Sequence, residues 1–186
     1  MCKTIIFLIP LIFLFGIAAA PDLPENLTEL NTIYALGEIK KNEWELEFTR
    51  WRRDLAFRES GGDWTKCNAH GCIGLYQFRI ITLKKLGYSD ITFEKFRADP
   101  GIFSQVLQEE ALRTLIRVNR LALRKFEPYI GQTIGGVLIT RSGLLAATHL
   151  GGIRGVKLFL TRNKNMKDSN GTSIKQYLIM FQGYNI

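Results

Sequence analysis

Soft metal ligands are scarce in this chain: three cysteines and two histidines in 186 residues. Cys67, His70 and Cys72 are the only ones that cluster, and a zinc site there would need a fourth ligand that the neighbouring sequence does not offer. Internal repeats and low-complexity tracts are absent, which excludes solenoids and linker-like polymers. Beyond residue 20 no apolar run reaches the ~20 residues that span a bilayer, because Gly or Arg interrupts each one. Strand patterns are few, so a β-sandwich or barrel is excluded and a mainly helical domain is expected. The length suits one domain, long enough to bury a core without metal or disulfide support.

What is present begins with MCKTIIFLIPLIFLFGIAAA. Lys3 is a short positive start, Ile5–Ile17 is almost continuously apolar, and Ala18-Ala19-Ala20 offers small residues for cleavage. Residues 1–20 therefore read as a secretory signal peptide; the apolar core is too short for an uncleaved anchor. Export makes the expected location periplasmic or secreted. The formal net charge of +8 falls by one with Lys3, so the mature chain is moderately basic. That suits a polyanionic partner such as a cell wall, a membrane surface or nucleic acid. Basic residues are dispersed and no aromatic-basic nucleic-acid motif appears, so no nucleic-acid partner is expected. Cys2 leaves with the signal, and Cys67 and Cys72 remain in an oxidising compartment, where a disulfide is the plain reading.

Residues 21–45 read as a helical or irregular lead-in and 46–186 as the domain. Trp44, Phe48, Trp51 and Leu55 step by 4, 3 and 4, the spacing of one apolar helix face, and Gly61-Gly62 stops that helix. A small β-hairpin is expected near 65–78, then a short helix over ITLKKLGY. Pro100-Gly101 opens a long helix on which Phe103, Val106, Leu107, Ala111, Leu115 and Val118 keep helical spacing, reaching about Phe126. Arg113, Arg117, Arg120 and Arg124 step likewise and form a solvated basic face or a binding stripe. IGQTIGG reads as a turn region. TRSGLLAATHLGG follows as a helix with Ser142 as N-cap and Gly151-Gly152 as terminator, and SIKQYLIMFQGY closes the chain as a helix.

Glu59 continues the Trp51–Leu55 stripe by a further four residues, so a carboxylate falls on the core side at a helix end. Desolvation there disfavours the charged form and tunes a carboxylic acid toward proton donation near neutral pH. The plainer alternative is a terminal glutamate bonded to Arg58 or to a backbone amide.

ESGGDW, GLYQF, AATHLGG and SIKQYL occur in this order, and together they resemble the motif series of the soluble lytic transglycosylases of the lysozyme superfamily. DPGIFSQVLQEEALRTL is similar to that family's Asn-Pro…Gln helix, with Asp99 where Asn is common. The resemblance covers roughly residues 46–186 and implies an α+β lysozyme-like fold. It implies Glu59 as the catalytic acid, Ser60 as a hydrogen-bonding residue of the active site, and Gln77 as the cleft glutamine. Tyr76 and Phe78 would flank sugar rings or brace the hairpin, and Tyr177 would be the late tyrosine that approaches the glutamate. Where the family has Ala-Tyr-Asn before its glycine, this chain has Thr148 and His149; His149 then either contacts glycan or satisfies a backbone carbonyl.

Most glycosidases need two carboxylates. Near Glu59 the sequence offers only Asp54, one residue off the apolar stripe, and Asp63, in a loop beyond the glycine pair. A one-carboxylate mechanism fits better. The resemblance implies that Glu59 protonates the β-1,4 bond between N-acetylmuramic acid and N-acetylglucosamine and then deprotonates the C6 hydroxyl, closing a 1,6-anhydro ring without metal or cofactor. The implied partner is the peptidoglycan strand, together with any envelope or secretion-machinery protein that positions the enzyme. Two alternatives stay open: a muramidase that uses Asp63 or another acid with water, and a non-catalytic wall-binding or assembly protein.

Overall fold

The computed structural model describes residues 27–186; residues 1–20, read above as a signal peptide, and residues 21–26 lie outside the described residues. Helix α1 runs Leu27–Ser60, so regular helix already fills most of the expected lead-in. Contacts divide the chain between Ile39 and Lys40. In the first unit the described residues are the opening turns of α1, where Ile33, Tyr34 and Leu36 are exposed. The second unit, Lys40–Ile186, is mainly helical with two small antiparallel sheets.

Strands β1 (Cys72–Ile73) and β2 (Phe78–Arg79) pair with Cys72 opposite Arg79, slightly later than the hairpin expected near 65–78. Helices α2 (Ile80–Lys85), α3 (Phe93–Ala98) and α4 (Gln105–Leu123) follow, with 3-10 turns at Pro100–Phe103 and Arg124–Tyr129. A second hairpin, β3 (Thr133–Ile134) with β4 (Val137–Leu138), occupies the segment read as turn alone; its strands are too short to show alternation. Helix α5 spans Arg141–Arg162 and α6 spans Ile174–Met180.

The α1 stripe performs as its spacing dictates: Phe48, Trp51 and Leu55 are fully buried. Trp44 stacks on Phe48 with centroids 4.9 Å apart, and Trp51 meets Phe181 edge-on at 5.8 Å. The Trp51 indole N–H donates to the Ser142 carbonyl at 3.3 Å, tying α1 to the start of α5. Ser142 itself is buried inside the first turn. The N-cap is Thr140, whose Oγ1 accepts from the Gly143 amide at 3.1 Å. On α6 the cap is reciprocal: Ser173 Oγ accepts from the Gln176 amide, and Gln176 Oε1 accepts from the Ser173 amide.

The buried face of α4 differs from the expected one. Val106 and Val118 are exposed, while Gln108, Ala111, Leu112, Ile116, Asn119 and Leu123 face inward. Two members of that face are polar, which is why counting apolar residues rotates it. Asn119 donates to Thr148 Oγ1 at 3.1 Å across to α5.

Gln108 has no solvent exposure. Its Oε1 accepts from the Leu75 amide at 2.5 Å, and its Nε2 donates to the Trp64 and Phe103 carbonyls at 2.9 and 2.8 Å. One side chain thus supplies three backbone groups with partners in a region water does not enter. Helix α6 is seated on α5 at Gly143, where a Cβ would lie 2.8 Å from the Leu178 carbonyl. At Gly152, φ 62° and ψ 179° lie in a region open essentially to glycine, and α5 breaks there into two segments instead of ending.

Gln108→Leu should strand those three backbone groups and cost about 3 kcal/mol or more, a fall of roughly 6–12 °C in the thermal midpoint. Scanning calorimetry beside Asn119→Leu, which releases a single hydrogen bond, checks this; equal losses in the two variants would contradict it.

Candidate active site

Glu59 is the last residue but one of α1, and its side chain is 15% exposed. Tyr177, buried on α6, donates its hydroxyl to Glu59 Oε1. Burial is the main cause that drives the Tyr177 phenol pKa far above its ordinary value, with the Glu59 carboxylate adding to it. The phenol therefore keeps its proton and remains a donor over the whole working pH range. Among the described residues no hydrogen bond occupies Glu59 Oε2. The plainer expectation for Glu59, a bond to Arg58 or a backbone amide, is not realised. Arg58 instead donates to Thr172 Oγ1 at 3.1 Å.

His149, in the first segment of α5, is nearly buried and lies 3.9 Å from Glu59 Oε1 through its Nε2. That is too long for a hydrogen bond. The same nitrogen is 2.7 Å from the Tyr76 carbonyl, and because a carbonyl only accepts, Nε2 carries a proton. His149 therefore satisfies a backbone carbonyl, and it also lines both cavities described below. Its Nδ1 is buried with no partner among the described residues.

A cleft of about 760 Å³ surrounds Glu59, walled by Tyr177, His149, Gln77 and Arg79 and by the loop at Asp168. A second cavity of about 530 Å³ adjoins it, sharing Gln77, Arg79, His149, Leu150 and Asp168. Together they form an extended groove whose wall carries two carboxyl groups, those of Glu59 and Asp168. That shape suits a polymer better than a small substrate.

The hairpin residues divide by role. Tyr76 and Phe78 are almost wholly buried and brace the hairpin, with Phe78 also on the wall of the second cavity. The Tyr76 hydroxyl lies against the Arg52–Glu109 pair, and burial first, then Glu109, drives its pKa far up. Gln77 lines both cavities with positive φ, and its amide is engaged: Oε1 accepts from Asn68 at 2.9 Å, and Nε2 donates to the Gly74 carbonyl at 2.9 Å and the Lys66 carbonyl at 3.2 Å. Ser60 is buried beneath the glycine pair. Its hydroxyl donates to the Ala56 carbonyl and accepts from the Gly62 amide, both at 3.1 Å, so it shapes the helix end.

The expected Cys67–Cys72 disulfide is not formed. Both thiols are free, Cys67 exposed and Cys72 half-buried, where burial pushes the Cys72 thiol pKa up. Asn68 closes the loop in its place: its Oδ1 accepts from the His70 and Cys72 amides at 2.8 and 3.1 Å. His70 and Cys72 line the cleft, whereas Cys67 faces a separate shallow pocket.

The other carboxylates sort themselves. Asp63 is exposed and holds Thr65 through its amide (2.8 Å) and hydroxyl (2.7 Å), contacts that lower its pKa, and it does not line the cleft. Asp54 accepts from the Tyr184 hydroxyl, which lowers its pKa, while burial and Asp54 push Tyr184 up to about 12. Asp168 is the acid beside Glu59 on the cleft wall, and its Oδ1 already accepts from the Asn170 and Thr172 amides at 2.9 and 2.8 Å. Sequence reasoning missed Asn68, Arg79 and Asp168. The dense turn signal KDSNGT marked the Asp168 loop but gave no sign that it borders Glu59.

No family model, curated protein or solved structure matches the chain.

The Asp54–Tyr184 bond gives a pH test of the site's outer frame. Asp54 has a lowered folded-state pKa, so its contribution is present above the unfolded value near 3.8 and is lost as pH falls through the folded value. Tyr184→Phe should therefore destabilise by about 1 kcal/mol at neutral pH and by progressively less below that value. Urea midpoints for both proteins from pH 7 to pH 2 measure the convergence; a pH-independent gap would contradict it.

Proposed function

We propose that residues 40–186 form the catalytic domain of an exported peptidoglycan lytic transglycosylase. The observation that carries this reading is the Glu59 carboxyl, held at Oε1 by the Tyr177 hydroxyl and opening on an extended groove. The resemblance of ESGGDW, GLYQF, AATHLGG and SIKQYL to the motif series of that family supplies the reaction.

In this mechanism Glu59 is the general acid. With Oε1 held by Tyr177, Oε2 carries the proton to the glycosidic oxygen between N-acetylmuramic acid and N-acetylglucosamine. The C1–O4 bond breaks, and the acetamido group of the sugar stabilises the positive charge at C1. Glu59, now a carboxylate, takes the proton of the C6 hydroxyl as the C1–O6 bond closes. The acid is regenerated and no water is consumed. Walls contributed by α5, α6 and the first hairpin favour that closure over attack by water. Tyr177 is a positioning residue: it sets the orientation of the carboxyl and leaves one oxygen for proton transfer.

A muramidase reading has one structural support, Asp168, the second carboxylate on the cleft wall. Its engagement with two backbone amides suits loop closure better than activation of water.

Glu59→Gln should lower glycan cleavage by about 10²–10⁴-fold. Tyr177→Phe should lower kcat about tenfold with little change in KM, the worth of one lost hydrogen bond to a charged group. Asp168→Asn should retain anhydro product. Mass spectrometry of the released muropeptides checks all three: reducing ends 18 mass units heavier than anhydro ends would establish hydrolysis instead, and unchanged cleavage by Glu59→Gln would remove Glu59 from the chemistry.

A further inference from the structure

A third cavity, about 730 Å³, has no lining residue in common with the catalytic groove. It lies between α1 and α4 and reaches the start of α5. Five arginines border it, and two acids, Glu45 and Glu127, face them. Both acids are engaged. Glu45 receives Arg113 through two hydrogen bonds at 3.2 and 2.9 Å, and Glu127 pairs with Arg141 at 3.5 Å. Arg117, Arg120 and Arg124 are exposed and have no carboxylate partner among the described residues.

Two of the five arginines sit on aromatic rings. The Arg120 guanidinium lies 5.7 Å over the Trp44 ring and that of Arg113 lies 4.8 Å over Phe48, so aromatic faces limit the freedom of two of the arginines. The Trp44 indole N–H is buried without an acceptor among the described residues. Leu121, on the same rim, is 63% exposed. From Arg113 to Arg124 the helical rise is about 16 Å, which matches about three turns of a docked helix.

A phosphate polymer would use the charge and leave Leu121 in water. A segment carrying both carboxylates and an apolar side chain uses both features. We propose that this groove docks an acidic, leucine-bearing helical segment of a partner protein, its carboxylates on Arg117, Arg120 and Arg124 and its apolar face on Leu121. The site would hold the domain at its place of work through a surface separate from the one that binds glycan.

The probe is a fluorescein-labelled helical peptide of about four turns, with Glu and Leu on one face, titrated by anisotropy into the mature protein at low salt. Arg117→Glu with Arg120→Glu and Arg124→Glu should weaken binding roughly 30-fold or more. The matching Gln substitutions should weaken it less, and they serve if the reversed protein fails to fold. A control with the same charge change elsewhere, Lys84→Glu with Arg97→Glu and Lys157→Glu, should cost under about threefold. Leu121→Gln should cost about fivefold. Four results would overturn the proposal: equal losses from the control, equal binding of a peptide with Gln for Glu, an unchanged affinity in Leu121→Gln, or preferential binding of polyphosphate of equal charge.

Discussion

The cleft depends on one buried amide. Gln108 reaches from α4 into the loop that runs from Trp64 to Leu75 and fixes that loop at both ends, through the Trp64 carbonyl and the Leu75 amide. Without such a clamp, a two-residue-strand hairpin would have little to hold it, since short isolated hairpins are marginal in water. With it, the residues after Leu75 have a defined starting point. Tyr76 drops into the core, its carbonyl meets His149, and Gln77 faces the groove with its amide already satisfied by Asn68, Gly74 and Lys66. Rigidity in this wall comes from side-chain-to-backbone hydrogen bonds, of which the Gln108–Leu75 bond is buried.

Glu59 stands at an unfavourable place for a negative charge, the C-terminal end of a long helix, where the backbone dipole is itself negative. Two polar side chains stand beside it: the Tyr177 hydroxyl, which donates to it, and His149, whose Nε2 lies 3.9 Å away with its proton given to the Tyr76 carbonyl. They come from α6 and α5, so assembly of the acid's surroundings requires the packing of three helices. The tight seat of α6 at Gly143 and the caps at Thr140 and Ser173 are therefore part of the same arrangement as the acid.

The positions of α2, α4 and α6, the α1 core stripe and the pairing of Glu59 with Tyr177 were legible because each rests on local spacing or on an ordered motif, whereas α3 and the continuation of α5 past Gly152 were not. Phe48, Trp51 and Leu55 announce their face by steps of three and four. The buried face of α4 was not legible, because Gln108 and Asn119 are polar and only tertiary partners explain their burial. The same limit hid the second hairpin, whose strands hold too few residues for a pattern, and the closeness of Asp168 to the cleft. Cys67 and Cys72 misled for the opposite reason: composition and compartment pointed to a bond, whereas Asn68 closes that loop with hydrogen bonds. Ser60 and Gln77 show that a residue can stand where the motif resemblance puts it while its polar atoms serve the protein's own backbone and, for Gln77, the Asn68 side chain.

The break at Gly152 separates two tasks within one continuous stretch of chain. The segment before it carries Thr148 and His149 to the groove, and the segment after it buries Val156, Phe159 and Leu160. The joint sits in a conformation that side-chain-bearing residues avoid, and because glycine is itself permissive, its angle is held by the packing of the two segments on their neighbours. Gly151 and Gly155, one on each side of the joint, both lie against the Ile174 side chain, so the two segments share one support. A residue with a Cβ at position 152 would be strained in this conformation and would disturb the setting of the histidine and of the distal core together.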